Sequence, residues 1–178
     1  MDSLFSRYAN ALLSIGRDEN KIKEYKEALI DISNYLEDNP ETHKYLESYL
    51  VPLDLRYEVI DVLTKDTDLA NLANFLKVLV KKHRFHHFSK ITKEYIKLAN
   101  IELGILEGLL YSTSSLTKEE IARVERTISK RMKKPVELHL RIDSRLIGGI
   151  KVVINEHIFD GSIQGKLAQL RSDLSERR

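Results

Sequence analysis

Helical periodicity fills the first hundred residues and then gives way to alternation. This change of period limits the fold more than any other feature. Ile22, Tyr25, Leu29, Ile32 and Leu36 are spaced 3, 4, 3, 4, which places them on one face of a helix. Phe88, Ile91, Tyr95 and Leu98 repeat that pattern in a sixth helical segment. The first segment follows Asp2 or Ser3 as N-cap and runs to about Ile15, with Gly16 as the stop. Asp38-Asn39-Pro40 ends the second. A short third holds Tyr45, Leu46, Tyr49 and Leu50 and is broken by Val51-Pro52. Asp54 can cap a fourth, carrying Leu55, Val59, Ile60 and Leu63. The fifth starts after Asp66 or Asp68 with Leu69, Leu72, Leu76 and Leu79, a stripe widened by Phe75, Val78 and Val80. Short connections imply antiparallel neighbours in a bundle.

After Asn100 the pattern differs. Ile105 to Thr113 reads as a strand, weakened by Gly108. Thr117-Lys118-Glu119-Glu120 is a capping box, with Leu116 and Ile121 placed for a hydrophobic staple. The helix it starts carries Ile121, Val124, Ile128 and Met132. Pro135 opens the clearest strand: Val136, Leu138, Leu140 and Ile142 point one way, Glu137, His139 and Arg141 the other. Four of the seven glycines fall between 148 and 165. There, Gly148-Gly149 leads into a strand from Ile150 to Ile154, Asn155-Glu156 turns it, and His157 to Phe159 returns. Asp160 or Ser162 caps a last helix with the stripe Ile163, Leu167, Leu170 and Leu174. The expected fold is mainly α: a six-helix antiparallel bundle over residues 1–104 and a small α+β domain over 105–178.

Composition narrows the function. A chain of 178 residues fits one domain or two small ones. It has no cysteine, which excludes disulfide frameworks, thiolate metal sites and cysteine nucleophiles and fits a reducing compartment. No apolar run reaches 18 residues, so no membrane-spanning helix is expected. Met1 to Arg7 lacks a basic region ahead of an apolar core and does not read as a signal peptide. Up to Gly104 there are 15 Lys/Arg against 17 Asp/Glu, a net of −2; from Ile105 on there are 14 against 10, a net of +4. The change of sign supports a boundary near Gly104.

Few constellations could carry chemistry. His83 and His87, in His83-Arg84-Phe85-His86-His87, would be one helical turn apart and could share a zinc ion. Lys81, Lys82 and Arg84 would repel a cation, so the segment reads as a basic interhelical loop. Asp143, Ser144 and His157 are the residue types of a hydrolase triad without a nucleophile elbow; Asp143-Ser144-Arg145 reads as an Asx turn. The glycines match neither dinucleotide nor P-loop spacing, and they read as positions of close backbone approach. No cofactor or metal is expected. Lys130, Arg131, Lys133 and Lys134 read as a solvated helix end, where cations oppose the dipole. The sharper alternative is nucleic-acid binding through Lys130–Lys134 and Lys81–His87. The first and fifth helices are apolar beyond one stripe. They are either central in the bundle or flank a groove that takes a partner's amphipathic helix.

Four motifs, in order, resemble the delta subunit family of bacterial F-type ATP synthase, which includes the mitochondrial oligomycin-sensitivity-conferring protein. Arg7-Tyr8-Ala9-Asn10-Ala11-Leu12 looks like the family's Arg-Tyr-Ala-x-Ala-Leu opening. Leu79-Val80-Lys81-Lys82-His83-Arg84 with Ile91 and Tyr95 is similar to its fifth-to-sixth helix junction. Ser112-Thr113-Ser114-Ser115-Leu116-Thr117 resembles its entry to the seventh helix, though Thr113 replaces a frequent alanine. Leu146-Ile147-Gly148-Gly149 followed by Asp160-Gly161-Ser162, Ile163 and Gly165 resembles its carboxy-terminal motif. Phe85-His86-His87 departs from the family pattern. The resemblance implies a non-catalytic stator subunit at the cytoplasmic face of the cell membrane, touching the membrane only through the complex and supporting proton- or sodium-driven ATP synthesis. It implies that the helical domain receives the amino-terminal helix of an alpha subunit, with Tyr8, Ala11, Leu12 and Ile15 on one wall and Phe75, Val78 and Leu79 on the other. It implies that the second domain meets the b subunits of the peripheral stalk. No nucleic acid is expected as a partner under this resemblance.

Overall fold

The apolar stripes become the buried faces of helices in a computed structural model of the chain, which describes residues 4–168. The protein is mainly helical with one four-stranded sheet, and it divides into two units, Met1–Leu103 and Gly104–Arg178. The first holds α1 (Leu4–Asp18), α2 (Ile22–Asp38), α3 (Pro40–Glu47), α4 (Leu53–Thr64), α5 (Ala70–Lys81), a 3-10 turn (Phe85–His87) and α6 (Phe88–Glu102). One core joins them, including the fully buried Leu12, Tyr25, Leu29, Ile60, Leu76 and Tyr95. Truncating any one of the buried leucines to alanine costs about 2–5 kcal/mol.

The helix ends depart from the sequence reading. Gly16 does not stop α1. It is buried inside the helix, where a Cβ would lie 3.1 Å from the Tyr95 hydroxyl. The stop comes at Asn20, in the left-handed region at φ 55°, where Lys21 N–H donates to Gly16 O and Asn20 N–H to Arg17 O. The proposed caps Asp2 and Ser3 lie outside the described residues. Neither Asp54 nor Asp66 or Asp68 caps a helix: Pro52 and Leu69 occupy those N-cap positions, and Asp68 instead accepts from Lys21 Nζ at 3.0 Å. α3 ends at Glu47, short of Tyr49 and Leu50. Ser48 turns extended there and its hydroxyl accepts from Leu50 N–H, leaving Leu50 95% exposed. The Arg17 guanidinium forms a two-pronged bridge to the Glu102 carboxylate at 3.0 Å, clasping the end of α1 to the end of α6.

The second unit holds β1 (Leu106–Ser112), α7 (Lys118–Met132), β2 (Val136–Ile142), β3 (Ile150–Ile154) and β4 (His157–Asp160), with sheet order β2-β1-β3-β4. β1 and β2 are parallel, so α7 is the crossover between them; the other pairings are antiparallel. The capping box forms as expected: Glu120 N–H donates to Thr117 Oγ1 and Thr117 N–H to the Glu120 carboxylate. Gly108 lies mid-strand because its position has no room for a side chain. A Cβ there would overlap Ile154 and sit 2.9 Å from Val153 O. The last helix is described over 163–168, and Leu170 and Leu174 of its expected stripe lie outside the described residues. Ile163 and Leu167, expected on a buried stripe, are 46% and 58% exposed.

β2 is an edge strand, and side chains of α7 accept from two of its amides. Leu138 N–H donates to Glu125 Oε1 at 2.8 Å and Val136 N–H to Ser129 Oγ at 3.0 Å. These bonds satisfy donors that would otherwise invite a foreign strand. Glu125→Ala is expected to destabilise the second unit by about 1–2 kcal/mol. It should accelerate amide exchange at Leu138 more than at β3 amides in hydrogen-exchange NMR, and uniform acceleration would assign Glu125 no specific role.

Candidate partner-binding groove

Eight of the fifteen residues of α1 are apolar, and they sort by depth. Ala9, Leu12 and Leu13 enter the core, Tyr8 and Ile15 are half-buried, and Ala11 is exposed. α5 sorts likewise: Phe75 and Leu79 are buried while Val78 is 45% exposed. The structure brings Tyr8 and Phe75 together as an edge-to-face pair with ring centroids 6.2 Å apart. Leu12 and Leu79 are fully buried, so they support this surface from beneath and do not line it. Tyr8, Ala11, Ile15 and Val78 supply the accessible apolar positions.

Polar contacts fix the two helices at both ends. At one end Glu19 accepts from Tyr25 Oη at 2.8 Å and from Asn71 Nδ2 at 2.6 Å, while Lys21 Nζ donates to Asp68. At the other, the Arg84 guanidinium lies 5.7 Å from the centre of the Tyr8 ring. The start of α1 therefore faces the end of α5, and the two run in opposite directions. Arg84 is aimed by a helix-terminating turn in which its N–H donates to Leu79 O and His83 N–H to Val80 O, with His83 at φ 54°. Phe5 is flanked by His87, at 5.0 Å between centroids, and by the Lys90 ammonium at 5.4 Å. Glu19, in the link after α1, and Asn71, on the first turn of α5, gave no signal in the sequence because an isolated polar residue carries no periodicity; Arg84 stood in the basic segment after the fifth helix, but its contact with Tyr8 did not show there.

The histidines do not share a helical turn. α5 has ended before His83, which stacks on Tyr49 at 4.5 Å, while His87 turns to Phe5. Among the described residues no group of three or more His, Cys, Asp or Glu is placed to hold a metal. Asp143 accepts from the Arg145 amide at 3.0 Å and from its guanidinium, the expected Asx turn; these bonds pull its carboxyl down to about 2. The basic cluster sits at the end of α7, where Lys133 adopts φ 54° and the Arg131 guanidinium lies 5.6 Å from the centre of the Phe159 ring.

The glycine block is a closed junction. Gly161 N–H donates to Ile150 O and Ile163 N–H to Gly148 O. Ser162, almost fully buried, caps the last helix by accepting from Gly165 N–H at 3.0 Å, and Asp160 accepts from Ser162 N–H. Hydrogen bonds from the Ser162 hydroxyl, first, and from its amide hold the Asp160 carboxyl below its ordinary range. A Cβ on Gly165 would lie 2.8 Å from that carboxylate, and one on Gly148 2.8 Å from Ile163. Leu146 is half-buried and Ile147 68% exposed beside it.

The chain thus pairs a helical unit that has a partly open apolar seam with a small α+β unit that has a tightly closed glycine junction. No described helix is long and apolar enough to cross a membrane. The chain belongs to the ATP synthase delta (OSCP) subunit family, whose model matches residues 4–174. It is therefore a structural, non-catalytic subunit of the ATP synthase complex. It is similar to ATP synthase subunit delta of Desulfotalea psychrophila, at 34% identity over 98% of this chain and 97% of that protein. It is also similar to ATP synthase subunit delta of Bacillus thuringiensis, at 33% over 97% and 96%. Its fold matches a chain in a cryo-EM structure of the Toxoplasma gondii mitochondrial ATP synthase hexamer, with TM-score 0.67, 19% identity and 97% of each chain covered.

Two expectations follow. Gly149 stands at φ +82° with Gly161 O 2.5 Å from where a Cβ would be, so Gly149→Ala should destabilise the second unit by about 2–4 kcal/mol in urea denaturation. An unchanged midpoint would show that the junction relaxes. Glu19 has its carboxyl lowered, first by the Asn71 bond and then by Tyr25. A lowered folded value means the tie is intact above the ordinary carboxylate range and is lost as pH falls through that lowered value. The Asn71 side-chain amide should report this transition by NMR below pH 4.5, and Glu19→Gln should abolish it.

Proposed function

We propose that this subunit is the stator link of the ATP synthase, joining the catalytic head to the peripheral stalk. In this reading the helical unit is a six-helix antiparallel bundle that receives the amino-terminal helix of an alpha subunit along the seam between α1 and α5. The second unit meets the b subunits. The subunit works at the cytoplasmic face of the cell membrane, reaches the membrane only through the complex, and supports proton- or sodium-driven ATP synthesis. One observation carries the reading: Ala11 on α1 and Val78 on α5 stay exposed while Tyr8 and Phe75 of the same helices pair, leaving apolar surface on two helices tied at both ends.

A stator resists torque during rotation, and an amphipathic helix laid in an apolar seam suits that load. Its many small contacts add at about 25 cal/mol per Å² before the costs of association, with no single bond bearing the force. Ala11 is small enough for a partner backbone to approach, and the aromatic pair gives rigid area.

The test is calorimetric titration of the full chain with a peptide matching the alpha subunit's amino-terminal segment. Ala11→Glu is expected to weaken binding at least about tenfold by placing a charge in the apolar contact. Because the site is exposed, folding stability should change by no more than about 0.5 kcal/mol in thermal unfolding. Unchanged affinity, or peptide-induced NMR shifts confined to the second unit, would overturn the groove assignment.

A further inference from the structure

The helical unit buries two cations, Lys26 and Arg56, each 5% exposed. Lys26 Nζ donates to Asn100 Oδ1. Arg56 sits one turn before Ile60 on the inward face of α4. Its Nε has no hydrogen-bond partner, and no ion pair with a described carboxylate is formed. A guanidinium does not shed its proton, so Arg56 carries a full positive charge at a largely buried position, with Nε enclosed and without a partner. Such a charge is strongly unfavourable unless something completes the site.

Arg56 lines a cavity of about 350 Å³ formed where the end of α3, α4 and the turn after α5 converge. Leu46, Val80 and Phe85 form its buried apolar floor, while Lys44, His83 and His86 stand exposed around the mouth. The Ser48 hydroxyl also lines it. Glu47 is the one acid in the lining, and its Oε1 lies 3.4 Å from His43 Nδ1. His83 is held in place by its left-handed backbone and its stack on Tyr49. The result is a largely buried planar donor beside Lys44, His83, His86 and Ser48, with a single carboxylate, Glu47, in the lining. We propose that this cavity binds a phosphate-class oxyanion on Arg56, with Lys44 and His83 closing over it. The planar fork of Arg56 matches two oxygens of such an ion, the apolar floor removes competing water, and Lys44 adds a mobile charge. The anion is either inorganic phosphate or the phosphate of a nucleotide. This site is separate from the α1–α5 seam and independent of the stator reading.

The test follows the Arg56 Nε–Hε resonance of the full chain by NMR during titration with sodium phosphate, against sodium chloride at matched ionic strength. Saturable movement with phosphate alone is expected. Arg56→Met replaces an unpaired buried charge with an apolar chain of similar length, so it should fold; followed through the backbone amides of His83 and Arg84, it should lose about 10- to 100-fold in phosphate affinity. Lys44→Gln, at an exposed site, should weaken binding about 3- to 10-fold. An ADP titration distinguishes the sources: equal affinity assigns the site to the free ion, tighter ADP binding to a nucleotide phosphate. Absence of saturable phosphate binding, unchanged affinity in Arg56→Met, or acetate binding as tightly as phosphate would overturn the proposal.

Discussion

The helical unit depends on how closely α1 can lie against its neighbours, and Gly16 sets that distance. With no side chain there, the Tyr95 hydroxyl and the Ile22 backbone come to within 3.1 and 3.4 Å of where a Cβ would stand. Tyr95, fully buried, donates to Ile22 O at 3.2 Å, so α1, α2 and α6 meet at one point. Once α1 is seated, Leu12 and Leu13 are committed to the core and Tyr8, Ala11 and Ile15 face outward beside α5. The seam proposed for a partner helix is thus a remainder, the apolar surface of α1 that this junction does not cover.

Much of this was legible in the sequence, because burial selects side chains at the helical period. The stripes of α2 and α6 and the alternation of β2 all lead directly to observed elements. Helix ends were harder. Asp54 and Asp68 have cap chemistry, but Asp68 is taken by Lys21, 47 residues away, and no local pattern reveals that competition. Gly16 has the composition of a stop and the role of a contact. For the seam, the apolar excess on α1 and α5 was visible in the sequence. The depth that hides Leu12 and Leu79 depends on tertiary packing. Arg56 had a signal, a cation four residues before Ile60 in an apolar stripe.

The two units solve different problems with glycine. In the sheet, Gly108 removes a side chain so that β1 can lie under Ile154. At the junction, Gly149 supplies a backbone angle that L residues resist, and Gly148 and Gly165 leave room for Ile163 and Asp160. The glycines from 148 to 165 have neither dinucleotide nor P-loop spacing, and in three dimensions the space beside each is filled by the chain's own atoms. The amides of Gly161, Ser162, Ile163 and Gly165 are likewise bonded within the chain.

The clasp between Arg17 and Glu102 has a consequence for how the protein comes into being. It joins residues 85 apart, and the helix it anchors packs chiefly on the last helix of its unit. During synthesis α1 leaves the ribosome first but has no seat until α6 has emerged. The seam between α1 and α5 therefore does not exist in a chain that stops before residue 88, even though both of its walls have been made. A partner helix arriving early would find two separate amphipathic segments. On the reading proposed above, only the completed unit would present the seam to that helix, which would make assembly contingent on finished folding.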